Sequence, residues 1–149
     1  MIIGVDFDGT CVTHEFPKVG REIGAAQVLK KLTDVGHQII LFTMRSHKRA
    51  GTADTNTLGY DNPEHIELET DTLEDAINWF KKHNIPLYGI NENPHQKSWT
   101  DSPKPYCHLY IDDAGFGIPL TYSTLVGGEE VKCNKAFVDW SVIAYKLRV

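Results

Sequence analysis

Cysteine is scarce in this 149-residue chain: Cys11, Cys107 and Cys133 are the three, an odd total with no CxxC pair. That pattern supports neither a disulfide framework nor a zinc cage, and it makes a reducing cytoplasm the expected compartment. Long apolar runs are missing too. The first, Ile2-Ile3-Gly4-Val5, meets Asp6 at once, whereas a membrane helix needs about 20 apolar residues. No basic head or small-residue cleavage site precedes that run, so no secretory leader is expected. Basic residues are outnumbered, 15 Lys+Arg against 20 Asp+Glu, for a net charge of −5. This argues against a broad basic surface for nucleic acid, while leaving room for a local positive site for a phosphate, including a phosphorylated nucleic-acid end. Internal repeats and low-complexity tails are absent.

What is present reads as a single α/β domain over 1–149, long enough to bury roughly 70% of its unfolded surface. Residues 1–6 form an unbroken aliphatic run suited to a buried parallel strand. A turn-rich stretch follows over 9–20. The next segment, 21–35, spaces Ala25, Val28, Leu29 and Leu32 as a helix does and stops at Gly36. Gln38 to Phe42 is a second buried strand, and 46–70 is a long polar insertion of the kind that is often functional. Thr72 is the expected cap of a second helix, with Glu74 and Asp75 in its first turn and Lys81 and Lys82 in its last. Strands are expected over 85–90 and 107–111, a hairpin over 122–131 turning at Gly127-Gly128, and a final helix over 134–147. Strands alternating with helices predict a three-layer α/β/α sandwich around a mainly parallel, Rossmann-like sheet.

In such sheets ligands bind beyond the carboxyl ends of the strands. Those ends are polar here: Asp6-Phe7-Asp8-Gly9-Thr10 after the first strand, Thr43-Met44-Arg45 after the second, Asp112-Asp113 after the fourth. Carboxylates gathered in one crevice repel each other unless a cation sits among them. Ligands offering oxygen without His or Cys select a hard ion, of which Mg²⁺ is the expected one. A dication beside a hydroxyl and a lysine suits a phosphoryl group.

The run Asp6-Phe7-Asp8-Gly9-Thr10 after a buried strand resembles the first motif of the haloacid dehalogenase (HAD) superfamily of phosphohydrolases. Thr43 resembles its second motif and Asp112-Asp113 its fourth. Lys104 and Lys97 compete for the third, with Lys-Pro-Tyr at 104–106 favouring Lys104. The resemblance spans positions 1 to about 118. It implies Asp6 as nucleophile, forming an aspartyl phosphate, and Asp8 as the acid that protonates the leaving oxygen and then activates water. It also implies Mg²⁺ held by Asp6, the backbone carbonyl of Asp8, Asp112 and, in or just outside that shell, Asp113. Thr43 and Lys104 would bind the phosphoryl oxygens. Members that act on carbon lack the second aspartate, so Asp8 favours phosphoryl chemistry.

Family members usually close the site with a cap, and the spacing here leaves room for a flap over 9–20 and no cap domain. A lid must then come from 46–70, from a second subunit or from a large substrate. Arg45-Ser46-His47-Lys48-Arg49 sets a positive cluster just after the second motif. Arg45 is the expected substrate contact, and a solvated basic loop is the plain alternative for the rest. His14, His47, His65, His83 and His95 share no spacing and read as surface residues, Trp79 and Trp140 as core, Trp99 as open, and Cys11 as carrying no chemistry. Three functions compete: a Mg²⁺-dependent phosphatase on a small phosphomonoester, a phosphotransferase, and a non-catalytic module that binds a phosphorylated ligand or a partner. No membrane partner is expected, and the oligomeric state is left open.

Overall fold

The computed structural model describes residues 1–48 and 70–149. The bulk of the predicted 46–70 insertion, with Arg49 and His65, lies outside the described residues. Four short strands form one parallel sheet: β1 (Ile2–Val5), β2 (Gln38–Leu41), β3 (Leu87–Ile90) and β4 (Leu109–Ile111), in the order β3-β2-β1-β4. The register pairs Val5 with Leu41 on one side and with Ile111 on the other, so the ends of these three strands lie level.

Alternation along the strands divides the sheet into two faces. Ile3, Val5, Ile39, Leu41 and Ile111 turn to one side, into a continuous core with the buried faces of α1 (Ala25–Asp34), α2 (Thr72–Lys82) and α3 (Trp140–Leu147). Phe7, Trp79 and Phe80 meet there edge-on or tilted, with centroids 5.0–6.3 Å apart. The opposite face is covered by the 91–108 crossover, which contains only a short 3-10 turn, Gln96–Ser98. A right-handed β3-to-β4 connection must cross on that side, because β4 lies on the far side of β1. Space on that face is tight: a Cβ on Gly4 would come within 2.8 Å of the ring of its β4 neighbour Tyr110 and 3.0 Å of Cys107 Sγ in the crossover. The fold is therefore the expected α/β arrangement of layers on a parallel Rossmann-like sheet, with its second outer layer nearly helix-free.

The strands of the sheet are one to two residues shorter at their ends than expected, and three other boundaries differ for a visible reason. α1 starts at Ala25 because 21–24 close the flap. Thr13 and Arg21 exchange hydrogen bonds, and the Glu22 carboxylate accepts from Gly24 N and Ala26 N at 3.0 and 2.9 Å. α2 is capped by Asp71, which accepts from Glu74 N at 3.0 Å, while the Thr72 hydroxyl donates to Ser46 O. The third is the largest. Residues 134–138 belong to a long antiparallel ribbon, β5 (Leu120–Val126) with β6 (Glu129–Val138), and the helix begins only at Trp140 behind an Asp139 cap. Phe137 and Val138 are buried as strand residues under the loop that follows β1, and this contact overrides their helical spacing. No helix among the described residues is long and apolar enough to cross a membrane.

Candidate active site at the carboxyl edge of the sheet

The strand order reverses at β1: β2 and β3 extend to one side and β4 to the other. Such a switch point opens a crevice between adjacent strand ends. Asp6 closes it from below by donating its N–H to Ile111 O at 3.0 Å, which ties the end of β1 to the end of β4. Carboxylate oxygens of Asp6, Asp112 and Asp113 lie within 4.8 Å of one another. The buried Thr10 hydroxyl stands between them, 3.2 Å from Asp6 Oδ2 and 3.4 Å from Asp113 Oδ1, and accepts from Asp113 N at 3.0 Å. One hydroxyl proton cannot neutralise three acids. Burial, together with the charges of Asp112 and Asp113, pushes the Asp6 carboxyl up to about 7.

The loop is held from behind by the C-terminal ribbon and helix. Val138 N donates to Gly9 O at 2.9 Å, and Trp140 Nε1 donates to Thr10 O at 2.6 Å. Gly9 adopts φ +76°, and a Cβ there would sit 2.1 Å from the His14 ring and 2.9 Å from Asp113 Oδ2, so only glycine fits. His14 is not the free surface histidine expected. Its Nε2 lies 3.0 Å from Ala136 O and 3.4 Å from Asp113 Oδ2, with 16% of the side chain accessible. Cys11 is fully buried and its thiol is pushed up by burial, in line with its having no chemistry.

Asp8 is paired with Arg45. Its two oxygens accept from Arg45 Nε and NH2 at 2.8 and 2.7 Å, a bidentate fork. This overturns the expectation that Arg45 reaches out as a substrate contact. Its side chain is 1% accessible, and the remaining donors go to Thr72 O, Lys18 O and Pro17 O at 3.1, 2.8 and 3.4 Å. The guanidinium also lies 4.9 Å from the Phe7 ring centroid and 5.3 Å from that of Phe16. Arg45 thus ties Asp8 to the flap and to the first turn of α2, and no N–H is left over for a phosphoryl oxygen. The basic cluster of 45–49 is thinned further by His47, whose Nδ1 lies 2.7 Å from Asp71.

Thr43 sits at the strand edge beside β1, since Phe42 N donates to Val5 O at 2.8 Å. Its backbone N–H is taken by Asn91 Oδ1 at 2.8 Å, and its hydroxyl accepts from Arg45 N at 3.1 Å. Asn91 follows β3 and holds φ +53°. It is not among the expected site residues, although it is polar and lies just past an apolar strand, as Thr43 does. Lys104 lines a 320 Å³ cavity with Phe42, Tyr110 and Asp112, and its Nζ lies 5.3 Å from the Tyr110 ring centroid. Lys97 lines a different cavity, with Asn91, Glu92 and Asp101. Trp79 and Trp140 are core residues, as expected, and Trp99 is 66% exposed.

No protein-family model matches the chain, and no curated protein matches it. Among solved structures, a conserved protein coded by a locus of Bacteroides thetaiotaomicron is similar over 100% of this chain and 92% of its own, at 26% identity and a TM-score of 0.63. That description carries no activity, and the likeness is one of α/β fold.

Proposed function

We propose that this chain is a HAD-type phosphohydrolase that cleaves a phosphomonoester with Mg²⁺ through an aspartyl phosphate on Asp6. The observation that carries the reading is the meeting of Asp6, Asp112 and Asp113 oxygens within 4.8 Å at the switch point, with Asp8 two residues from the first. The donor set fits the ion. It is all hard oxygen, and an acid pushed up to about 7 by burial and by its acidic neighbours is relieved when a dication enters. Asp6, Asp112 and Asp113 would hold the metal, with the backbone carbonyl of Asp8 as the resemblance implies. Bound there, Mg²⁺ neutralises phosphoryl oxygens and keeps Asp6 ionised.

The remaining chemistry belongs to the chain. A carboxylate oxygen of Asp6 forms a bond to phosphorus as the bond from phosphorus to the leaving alcohol oxygen breaks. Asp8 gives that oxygen a proton. Water then attacks phosphorus, Asp8 takes its proton, and the P–O bond to Asp6 breaks to release phosphate. Thr43 and Lys104 bind the phosphoryl oxygens. Arg45 does not touch substrate; it holds Asp8 in place. Each Asp8 oxygen keeps a second lone pair, and 21% of the side chain stays accessible, so the fork positions the acid without enclosing it. Cysteine usage supports a cytoplasmic setting.

The test is release of inorganic phosphate from a panel of phosphomonoesters with Mg²⁺, with EDTA, and with Asp6→Asn. Turnover that needs the metal and falls at least ~10³-fold in the variant is expected. Turnover unaffected by either change would overturn the reading. Thermal stabilisation by a phosphorylated ligand without turnover would favour a binding module, and transfer to an added alcohol in preference to water a phosphotransferase.

A further inference from the structure

We propose that the trough beside Lys104 receives the alcohol half of the substrate and selects phosphomonoesters bearing a planar heterocycle, the chemistry of a nucleoside monophosphate. The proposal rests on the phosphatase reading above and extends it to a substrate class. Two cavities adjoin through shared walls of Lys104 and Tyr110. One, of 320 Å³, opens on Asp112 and Phe42. The other, of 300 Å³, is bounded by Trp99, Tyr106, Thr100 and Ser102. Together they lead from the acidic cluster, across the Lys104 ammonium, to a wall of rings.

The rings form two pairs along the trough. Phe42 and Tyr110 lie 6.1 Å apart, and Tyr106 meets Trp99 edge-on at 5.8 Å. Tyr110 is fixed by its hydroxyl, which donates to Pro105 O at 2.5 Å. Trp99 is 66% exposed and Tyr106 44%, whereas Trp79 and Trp140 are 7% and 2% exposed. Trp99 and Tyr106 thus present adjacent exposed ring surface in one polar-edged cavity, where a flat ligand can stack.

Its support is rigid. The 93–106 loop is stapled by two buried amide side chains. Asn93 Nδ2 donates to Tyr106 O, and Gln96 accepts from Tyr106 N while donating to Ser102 O and Lys104 O, all within 2.7–3.0 Å. The platform is thus formed before any ligand arrives, which lowers the ordering cost of binding. A flat ring stacks on such a wall, Lys104 meets the phosphate between the two cavities, and the Thr100 and Ser102 hydroxyls offer donors to a polar ring edge. A purely aliphatic alcohol would leave both rings and hydroxyls unmatched.

Adenosine 5′-monophosphate and ribose 5-phosphate share a primary alcohol as leaving group and differ in the base, so they isolate this interaction. With the full chain and Mg²⁺, kcat/KM should favour the nucleotide by roughly 10–100-fold, the span that ring stacking supplies. In Trp99→Ala that ratio should fall at least tenfold, and Trp99→Phe should keep most of it. Equal kcat/KM for the two substrates, or a ratio unchanged in Trp99→Ala, would overturn the proposal. Equilibrium binding of both compounds to Asp6→Asn reads the subsite without turnover. Tighter binding of the nucleotide that is lost on Trp99→Ala supports the subsite even where the phosphatase reading fails, and equal binding overturns it even where that reading holds.

Discussion

Asp6 and Asp8 stand two residues apart on one loop, and their surroundings are opposite in charge. Asp6 shares a crevice with Asp112 and Asp113, softened by one hydroxyl and, at the rim, by His14 at 3.4 Å from Asp113. Asp8 faces a buried guanidinium that meets both its oxygens. Alternation alone would give residues two apart the same face; the chain instead turns after Phe7, whose carbonyl accepts from Thr10 N and Cys11 N, and the two side chains meet different partners. Among the described residues no Lys or Arg pairs with the three acids of one wall, which is suited to accept a cation from solution. The other has its cation supplied by the chain. Within two residues the loop thus sets a carboxylate suited to a metal beside one held in position by a buried guanidinium.

Removing the built-in cation is the harshest way to break this contrast. Arg45→Met should destabilise the fold by about 2–4 kcal/mol in urea denaturation, because it strips Asp8 and three backbone carbonyls of donors in a buried place. Arg45→Lys should recover little, since an ammonium cannot reproduce the fork. The double variant with Asp8→Asn should cost clearly less than the sum of the two single changes; simple additivity would mean that the pair is not coupled.

The acidic wall gives the next largest effect, and its sign follows from linkage. The unfolded chain releases the Asp6 proton near 3.8, whereas the folded chain holds it to about 7. Between those values the folded state binds more protons, so stability falls as pH rises through that window and stays low above it. In EDTA, Tm should therefore drop from pH 4 to 7, by an amount equivalent to the order of 2 kcal/mol after solvent screening. Mg²⁺ should restore it at pH 7, and Asp6→Asn should flatten the slope. A Tm that rises over this range in EDTA, in wild type and variant alike, would contradict the crowding of acids.

The smallest effect is at the support behind the loop. Trp140→Phe removes the indole donor to Thr10 O while keeping a ring in the core, and should cost about 1–2 kcal/mol. A change below measurement would show that the ribbon alone holds the loop.

The acidic wall was legible in the sequence because it obeys a local rule: polar residues just past apolar strands, at strand ends that the fold brings level. Asp6, Asp112, Asp113 and Thr43 all follow from it, and so does Asn91 after the third strand. The opposite wall was not legible. Nothing in Thr43-Met44-Arg45 reveals that Arg45 turns inward, because its partners are Asp8, a flap carbonyl pair and the start of α2, each 27 or more residues away. The scaffold from Ala136 to Trp140 was misread for a related reason. The 134–147 segment has helical spacing throughout, and only packing under Gly9 and Thr10 holds its first part as strand.

The central claim is that phosphorus becomes bonded to Asp6. A single turnover with Mg²⁺, quenched in acid, reduced with borohydride and mapped by peptide mass spectrometry, tests it most directly. An aspartyl phosphate at position 6 is reduced there to homoserine, and that conversion is the predicted result. Full turnover with no modification at Asp6, or with modification at another residue, would contradict the account.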